Sequence, residues 1–582
     1  MKWSTMHTTR RGVFFASAAL VANSLAFAPS PVHGSAATST YVVLAKDAAS
    51  VDATIATVEA AGGTVNRVNR AIGLVTVTAD TASFEAAVMT KADVAGVARN
   101  TPIGSAPADA VTSRDAVELE GRNAEAAIAA SRGGDGGHDG HDGHDDQAAE
   151  PLAGFQWDMR MIGATPDGSY DEQPGRRDVL VGVIDTGIDG SHPDIAPNFN
   201  RKLSRNFTVD IPEIDGPCAD EPDQSCNDPA DVDEDGHGTH VAGTIASPIN
   251  GIGIAGVAPN VTLVNLRAGQ DSGFFFLGPT VDALTYAGDN GIDVVNMSFF
   301  IDPWLYNCRN YPTDSAAEQL EQATIIDATQ RALDYARAHG VTLVAALGNE
   351  HTDLGAALKT DDISPDFPLH TERVREVTND CVDMPTEANG VIAVSSVGPS
   401  TKKADYSNHG LEQNDVAAPG GFFRDFIDDP AKNRRPENLI LGPYPKNVAL
   451  ANGDVDPVTG ESLTPFVVAQ CSSPTIDDCA YWQWIQGTSM AAPHAVGVAA
   501  LIVSEFGKSQ RHGKGRTMDP AKVERILRDS ATDVACPAPV ITYKAGGRDA
   551  TYDAPCVGTP QRNSIYGDGI VNAAAAVEHR HH

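Results

Sequence analysis

The stretch Gly487-Thr488-Ser489-Met490-Ala491-Ala492-Pro493 places a serine on a turn of small residues, directly before an apolar run from 491 to 503. Such a run predicts a buried helix, and the free N–H groups at the start of a helix can stabilise an oxyanion. A hydroxyl held at that point suits nucleophilic acyl transfer. A turn that only packs ahead of a buried helix would explain the same residues, so the pattern needs support from other parts of the chain.

Two upstream stretches give that support. The apolar run 179–184 predicts a strand buried on both faces, and it delivers Asp185 at the end where ligand sites of parallel sheets collect. His237 begins a predicted helix of small residues, and a histidine oriented by a carboxylate can take a serine proton and return it to the leaving group. Taken singly, Asp185 could be a turn cap and His237 a core histidine. His240 is predicted to pack, because no HExxH pattern accompanies it.

The order Asp185, His237, Ser489 and the motifs around these residues resemble the subtilase family of serine endopeptidases. Further likeness lies between the motifs, in the stretches 256–259, 295–298 and 345–350. The resemblance implies a doubly wound, mainly parallel α/β catalytic domain with these three residues as its triad. It also implies that Asn349 donates to the oxyanion beside the N–H of Ser489.

The resemblance extends to the substrate cleft. Ser298 and Gly348 match the backbone edges that pair with an extended peptide, a binding mode driven by main-chain hydrogen bonds. Where subtilases usually have Ser-Leu-Gly, this chain has Ser298, Phe299 and Phe300. Phe300 in place of glycine would narrow or re-route the first specificity pocket, unless the insertion that follows moves the backbone away. A narrowed pocket argues against a preference for large apolar residues before the scissile bond. Ordinary core packing explains both phenylalanines equally well.

A structural calcium site is also implied by the resemblance. The side chains of Asp194 and Asn250 would supply oxygen ligands, and the carbonyls of Pro248, Ile252 and Ile254 would complete much of the shell. The alternative is a plain glycine-rich turn. No organic cofactor is expected.

The N-terminal part of the chain is organised like that of a secreted zymogen. Residues 1–35 combine basic residues with an apolar run and predict a signal peptide, with the Sec or the twin-arginine route undecided. Residues 36–105 alternate strand-like and helix-like segments, which predicts a small α+β, ferredoxin-like module that resembles the inhibitory propeptide of subtilases. A merely structural N-terminal domain is the alternative.

A linker and a long catalytic region follow. Residues 106–152 predict a flexible acidic linker whose His-Asp pairs between 138 and 146 could also bind zinc or nickel loosely. Propeptide cleavage is expected between Asn100 and Gly154. The catalytic domain is assigned to 153–578, with insertions before His237, after Phe300 and over 421–484. Long loops on a rigid scaffold usually reshape the binding cleft, so specificity is expected to reside there.

The net charge restricts the classes of partner expected for the protein, and the cysteine pattern indicates disulfides. The chain has 77 acidic and 42 basic residues, a net charge of −35, which argues against nucleic acid or anionic membrane as a partner. The run 491–503 is too short for a membrane anchor. Eight cysteines without CxxC spacing favour disulfides over zinc, and closure of short loops favours the pairs Cys218–Cys226, Cys471–Cys479 and Cys536–Cys556, leaving Cys308–Cys381.

The sequence therefore predicts a secreted, monomeric serine endopeptidase that binds protein or peptide substrates and its own propeptide. Two other classes stay open. A carboxyl-type serine peptidase would need a glutamate in place of the motif at His237. A catalytically silent subtilase fold used for binding would need no catalytic residues, whereas all of them are present here.

Overall fold

The computed structural model describes residues 38–80, 83–99, 150–220, 224–509 and 515–579. The predicted signal peptide lies outside the described residues. So do the His-Asp pairs and almost the whole of the predicted linker, including most of the region in which propeptide cleavage is expected.

The N-terminal module, residues 38–99, is a four-stranded antiparallel sheet with two helices. Its strands have the order β2-β3-β1-β4. With the helices, this is the β-α-β-β-α-β arrangement of ferredoxin-like modules. The elements are β1 Thr38–Ala45, α1 Val51–Ala60, β2 Thr64–Asn69, β3 Leu74–Asp80, α2 Phe84–Met89 and β4 Val94–Arg99.

The remainder of the described chain forms one α/β domain. Its helices are α3 Trp157–Met161, α4 Ser169–Glu172, α5 His237–Ala246, α6 Leu277–Asp289, α7 Ala316–Ala338, α8 Lys446–Ala451, α9 Thr488–Phe506, α10 Pro520–Asp529 and α11 Ala573–Val577. Its main strands are β5 Leu180–Ile184, β6 Arg205–Asn206, β7 Thr262–Arg267, β8 Val294–Met297, β9 Thr342–Ala346, β10 Leu358–Asp361, β11 Arg375–Thr378, β12 Val391–Val397, β13 Val416–Pro419, β14 Ile440–Tyr444, β15 Val467–Cys471 and β16 Cys479–Ile485. Short two-residue strands β17 to β22 follow at Lys508–Ser509, Arg516–Thr517, Val540–Ile541, Ala554–Pro555, Gly558–Thr559 and Arg562–Asn563.

A seven-stranded parallel sheet is the centre of this domain, with the strand order β13-β12-β9-β8-β5-β7-β6. Helices α5 and α9 pack on one face, and α6 and α7 pack on the other. Both faces of the sheet are therefore buried, which explains why its strands are continuous apolar runs and not alternating ones. The doubly wound α/β fold predicted from the sequence is confirmed.

The N-terminal module packs against α6 and α7. Val42 and Leu44 of β1 and Leu74 of β3 are buried in the same apolar cluster as Leu284 of α6 and Ile325 of α7. The opposite face of the module's sheet packs on its own helices. The module is thus a sheet sandwiched between its two helices and the helical layer of the larger domain.

The disulfide pairing can be compared with the pairing predicted from the sequence. The four disulfides are Cys218–Cys226, Cys308–Cys381, Cys471–Cys479 and Cys536–Cys556, so the pairing favoured by loop closure is confirmed.

Residues 150–152 differ from the prediction of a flexible linker. Glu150 and Leu152 are buried, and the N–H of Leu152 donates to the carbonyl of Gly253 over 2.8 Å. The ordered domain therefore begins earlier than 153.

Within the described ranges, α9 alone is long and apolar enough to cross a membrane. Its most apolar window is 89% buried inside the protein. The apolar character of α9 is therefore that of the core helix between the sheet and α5.

Candidate active site

Asp185 and His237 form a buried pair at the carboxyl ends of the parallel strands. Asp185 directly follows β5, His237 is the first residue of α5, and the Nδ1 of His237 lies 2.6 Å from the Oδ1 of Asp185. An ionised carboxylate only accepts hydrogen bonds, so the proton lies on Nδ1 and Nε2 is the basic nitrogen. Gly238 permits this approach, because a Cβ at that position would lie 2.1 Å from the carbonyl oxygen of Gly187.

Ser489 is the second residue of α9 and is 2% exposed. Its hydroxyl lies 3.4 Å from the carbonyl oxygen of Ser298, and the hydroxyl of Ser298 donates to the carbonyl of Ser489 over 3.0 Å. Ser298 follows β8, the direct neighbour of β5. Helices α5 and α9 pack against each other, with His237 at the start of α5 and Ser489 in the first turn of α9. The N–H of Ser489 has no carbonyl partner within its helix because it lies in the first turn.

Asn349 lies beyond the end of β9, and the turn before Ser489 fixes its side chain. The backbone N–H and the hydroxyl of Thr488 both donate to the Oδ1 of Asn349, each over 2.9 Å. A backbone N–H can only donate, so the atom that it contacts must be the amide oxygen. The NH₂ group of Asn349 therefore points away from Thr488 and is available as a donor.

The two proposed edges of the substrate cleft flank this turn. Ser298 is fully buried, and Gly348 has a φ of 101°, which favours glycine. The N–H of Gly348 donates to the hydroxyl of Thr488 over 3.1 Å. Phe299 is buried and stacks on Phe275 with ring centroids 4.1 Å apart.

Phe300 is half-buried and packs on an apolar cluster that includes Tyr306 and Leu347. These contacts agree with the interpretation that Phe299 and Phe300 serve ordinary core packing. A glycine at this position would leave the space of the Phe300 side chain open.

Comparison with known proteins gives the family. The model of the subtilase family matches residues 176–547, more than half of the chain. The chain belongs to the subtilase family. This membership makes it a serine-type endopeptidase. Subtilisin DY of Bacillus licheniformis is 25% identical over 400 residues, which span 69% of this chain and 91% of that protein.

Two other relatives extend the comparison. The nisin leader peptide-processing serine protease of Lactococcus lactis subsp. lactis is 27% identical over 353 residues, but these cover 61% of this subtilase and only 44% of the relative. The solved structure of the epidermin leader peptide processing serine protease of Staphylococcus aureus superposes with a TM-score of 0.59 at 20% identity, covering 93% of this chain and 98% of that one. At that identity the likeness concerns the fold.

The predicted calcium ligands of this subtilase lie around a buried acidic pair. Asp194 Oδ2 accepts from the N–H of Ile254 over 3.0 Å and from Trp482 Nε1 over 2.9 Å, while its Oδ1 is buried without a hydrogen-bond partner among the described residues. Glu150 Oε2 is also buried without a hydrogen-bond partner among the described residues, and Glu150 Oε1 accepts from the N–H of Gly251. Burial raises the pKa of Asp194 to about 8, and repulsion from Glu150 adds to the rise.

The other predicted ligands belong to the same turn. Asn250 is exposed, its Oδ1 accepts from the N–H of Ile252 over 2.9 Å, and its Nδ2 donates to the carbonyl of Pro193 over 3.2 Å. The carbonyls of Pro248, Ile252 and Ile254 lie within the same short segment. The segment therefore joins Asp194 through Ile254 and Glu150 through Gly251.

A second group of acids, Asp210, Asp228 and Asp271, is also close enough together for a metal ion. The guanidinium of Arg267 already lies among them, in contact with Asp228, 2.8 Å from Asp271 and 3.4 Å from Asp210, and its side chain is fully buried. Arg267 is thus the cation of this cluster. The cluster anchors the insertion before His237 to the end of β7.

The insertion over 421–484 builds a wall beside α5, the helix that begins with His237. Its strands β14, β16 and β15 form an antiparallel sheet. A separate pocket of about 590 Å³ lies between this sheet and the loop after Asp185. Its lining residues include Asp189, Tyr444, Lys446 and Asp477. Tyr444 also lies beside Gly236, directly before His237.

Two functional candidates were missed by the sequence prediction. Thr488 orients Asn349, and a hydroxyl directly before the serine was the available signal. Glu150 contributes a buried carboxylate beside Asp194, but it follows a polar tract that predicts a linker, so the local pattern pointed the other way.

Proposed function

We propose that this subtilase cleaves peptide bonds with Ser489 as nucleophile, His237 as proton carrier and Asp185 as the group that orients the imidazole. Ser489 Oγ attacks the carbonyl carbon while its proton passes to Nε2 of His237. The oxyanion accepts from the N–H of Ser489 and from the NH₂ group of Asn349. Collapse of the tetrahedral intermediate releases the amine, which takes the proton from Nε2, and water then repeats the cycle on the acyl-enzyme. The proposal rests on the 2.6 Å contact between Asp185 and His237, and the packing of α5 against α9, the helix that carries Ser489, supports it.

A single hydroxyl tests this mechanism. We expect Ser489→Ala to abolish hydrolysis of unfolded casein and covalent labelling by a fluorophosphonate, because no other group would form the acyl-enzyme. Ser504→Ala is the matched control: it removes a hydroxyl from the same helix, where Ser504 donates to the carbonyl of Ala500. Persistent casein hydrolysis by Ser489→Ala would show that the nucleophile is another residue.

We also infer that the N-terminal module is an inhibitory propeptide. Polar contacts at its interface support this assignment: Arg67 Nε lies 2.8 Å from Asp282 Oδ2, and Asn69 Nδ2 donates to Asp282 Oδ1 over 2.7 Å. Arg331 donates to the carbonyl of Ala45 over 2.7 Å. The intact mass of the purified protein tests it. The active enzyme should lose the module, and Ser489→Ala should retain it.

The substrates we propose are extended segments of proteins or peptides. Relatives named for processing leader peptides make exposed segments of this kind the natural class to test. Export is supported by the four disulfides, which persist in oxidising compartments. Activity in the culture medium, and the mass of the mature enzyme by light scattering, test secretion and the monomeric state.

Calcium is proposed at the segment that joins Asp194, Asn250 and Glu150. The two buried carboxylate oxygens without partners fit a hard cation that prefers oxygen ligands, and backbone carbonyls of Pro248, Ile252 and Ile254 are available beside them. The ion would neutralise the buried acids and hold the turn to the N-terminal end of the domain. We expect added calcium to raise the Tm of the Ser489→Ala protein, and Glu150→Gln to reduce that rise. An equal rise in both proteins would exclude Glu150 as a ligand.

A further inference from the structure

Asp383 is a buried carboxylate that the proposed mechanism does not use. The residue is 2% exposed, and its Oδ1 has no hydrogen-bond partner among the described residues. Its own backbone N–H donates to Glu387 and not to its side chain. A buried carboxylate oxygen without a hydrogen-bond partner costs free energy, and a cationic ligand that reached it would offset that cost.

Asp383 begins a short segment that is hydrogen-bonded to both predicted walls of the substrate cleft. The next residue, Met384, accepts through its carbonyl from the N–H of Ile301 over 2.8 Å, and Thr386 Oγ1 donates to the carbonyl of Ala346 over 2.7 Å. The segment 383–386 is therefore tied to both walls of the cleft, the one that includes Ser298 and the one that includes Gly348. Both walls contact the turn that carries Ser489.

The charges around Asp383 favour a cation. Burial raises the pKa of Asp383 well above the ordinary value, and repulsion from Glu350, directly after Asn349, and from Glu387 adds to the rise. The nearby cation Lys359 offsets part of this rise, but its Nζ makes its close contacts with other groups. Its Nζ donates to the carbonyl of Cys381 over 2.9 Å, lies 3.7 Å from Glu387 and sits over the ring of Tyr306.

We propose that Asp383 makes this enzyme select substrates with arginine or lysine immediately before the scissile bond. The inference rests on the proposed function. The cationic end of that side chain pairs with Asp383, while Phe300 restricts the space for bulky apolar side chains. The preference of the site is therefore for a long, thin side chain that ends in a positive charge.

Peptide nitroanilides that differ only in their last residue test this, with lysine, arginine, norleucine and leucine at that position. Norleucine is the matched control because it has the straight chain of lysine without the charge. We expect kcat/KM for lysine to exceed that for norleucine by at least about 30-fold, the factor that corresponds to about 2 kcal/mol for a buried charge pair. Asp383→Asn should bring the ratio close to one, because it removes the charge that distinguishes lysine from norleucine.

Two further measurements keep the result decisive. Glu376→Gln removes an exposed carboxylate from β11 and should leave the ratio unchanged. Benzamidine, a small cation, should inhibit the parent enzyme competitively, a measurement that needs no folded variant. Equal cleavage after lysine and norleucine by the parent enzyme overturns the inference, as does an unchanged ratio in Asp383→Asn, the result expected if Asp383 holds a metal ion. Failure of the parent enzyme to cleave any peptide or casein overturns the proposed function itself.

Discussion

The orientation of Asn349 gives the sharpest prediction about catalysis. Asn349→Ala removes a donor that acts only when the oxyanion forms, so we expect kcat to fall by about 10²- to 10³-fold with little change in KM. Thr488→Val tests the support of that donor. It removes the hydroxyl that donates to Asn349 over 2.9 Å and accepts from Gly348, but it keeps the backbone N–H that holds the same oxygen.

The magnitudes separate the two roles. One neutral hydrogen bond contributes about 1 kcal/mol net, so Thr488→Val should lower kcat by about tenfold or less. The assay is steady-state hydrolysis of one peptide nitroanilide by the activated enzymes, with active sites counted by a covalent inhibitor. A change confined to KM in Asn349→Ala would refute the oxyanion role. An equal loss in both variants would refute the claim that the Thr488 N–H is enough to orient the amide.

Three further predictions concern the stability of the full-length chain and the hold on its N-terminal module. Burial raises the pKa of Glu321 to about 7, so the folded chain binds a proton more tightly than the unfolded chain and this part of its stability is lost as pH rises through about 7. In a Ser489→Ala background, Glu321→Gln should therefore raise the Tm more at pH 8 than at pH 5, and an equal effect at both would contradict the shift. Removing Cys308–Cys381, which joins residues 73 apart, should cost about 2 kcal/mol more in urea unfolding than removing Cys218–Cys226, which joins residues 8 apart; the reverse order would argue against the entropic account. Arg67→Ala should release the N-terminal module a few-fold faster by mass spectrometry, because it leaves buried Asp282 without its cation; unchanged release would show that the ion pair does not hold the module.

Much of the fold could be predicted because its signals are local. The strands β5 and β9 are apolar runs, and parallel packing buries such runs on both faces. The strand β2 lacks such a local signal, because Thr64–Asn69 is mostly polar and partly exposed, and it becomes a strand only through pairing with β3. The position of Arg267 among three acids was equally out of reach, since those acids come from separate segments that only the folded chain brings together.

The same limit explains the specificity of the cleft. The sequence shows Phe300 where subtilases usually have glycine, which argues against large apolar residues but names no replacement. The side chain preferred instead depends on Asp383, which lies far along the chain in a segment without a motif. The fold brings Asp383 to the cleft because Met384 and Thr386 form hydrogen bonds with its two walls. Phe300 limits width and Asp383 supplies charge, so each restricts a different property of the side chain that enters. A variant that enlarges the cleft at Phe300 alone should therefore admit bulkier residues while keeping the preference for lysine over norleucine, and Phe300→Gly assayed with the same nitroanilides, plus phenylalanine, tests that separation. Loss of the lysine preference in Phe300→Gly would mean that width and charge are not independent.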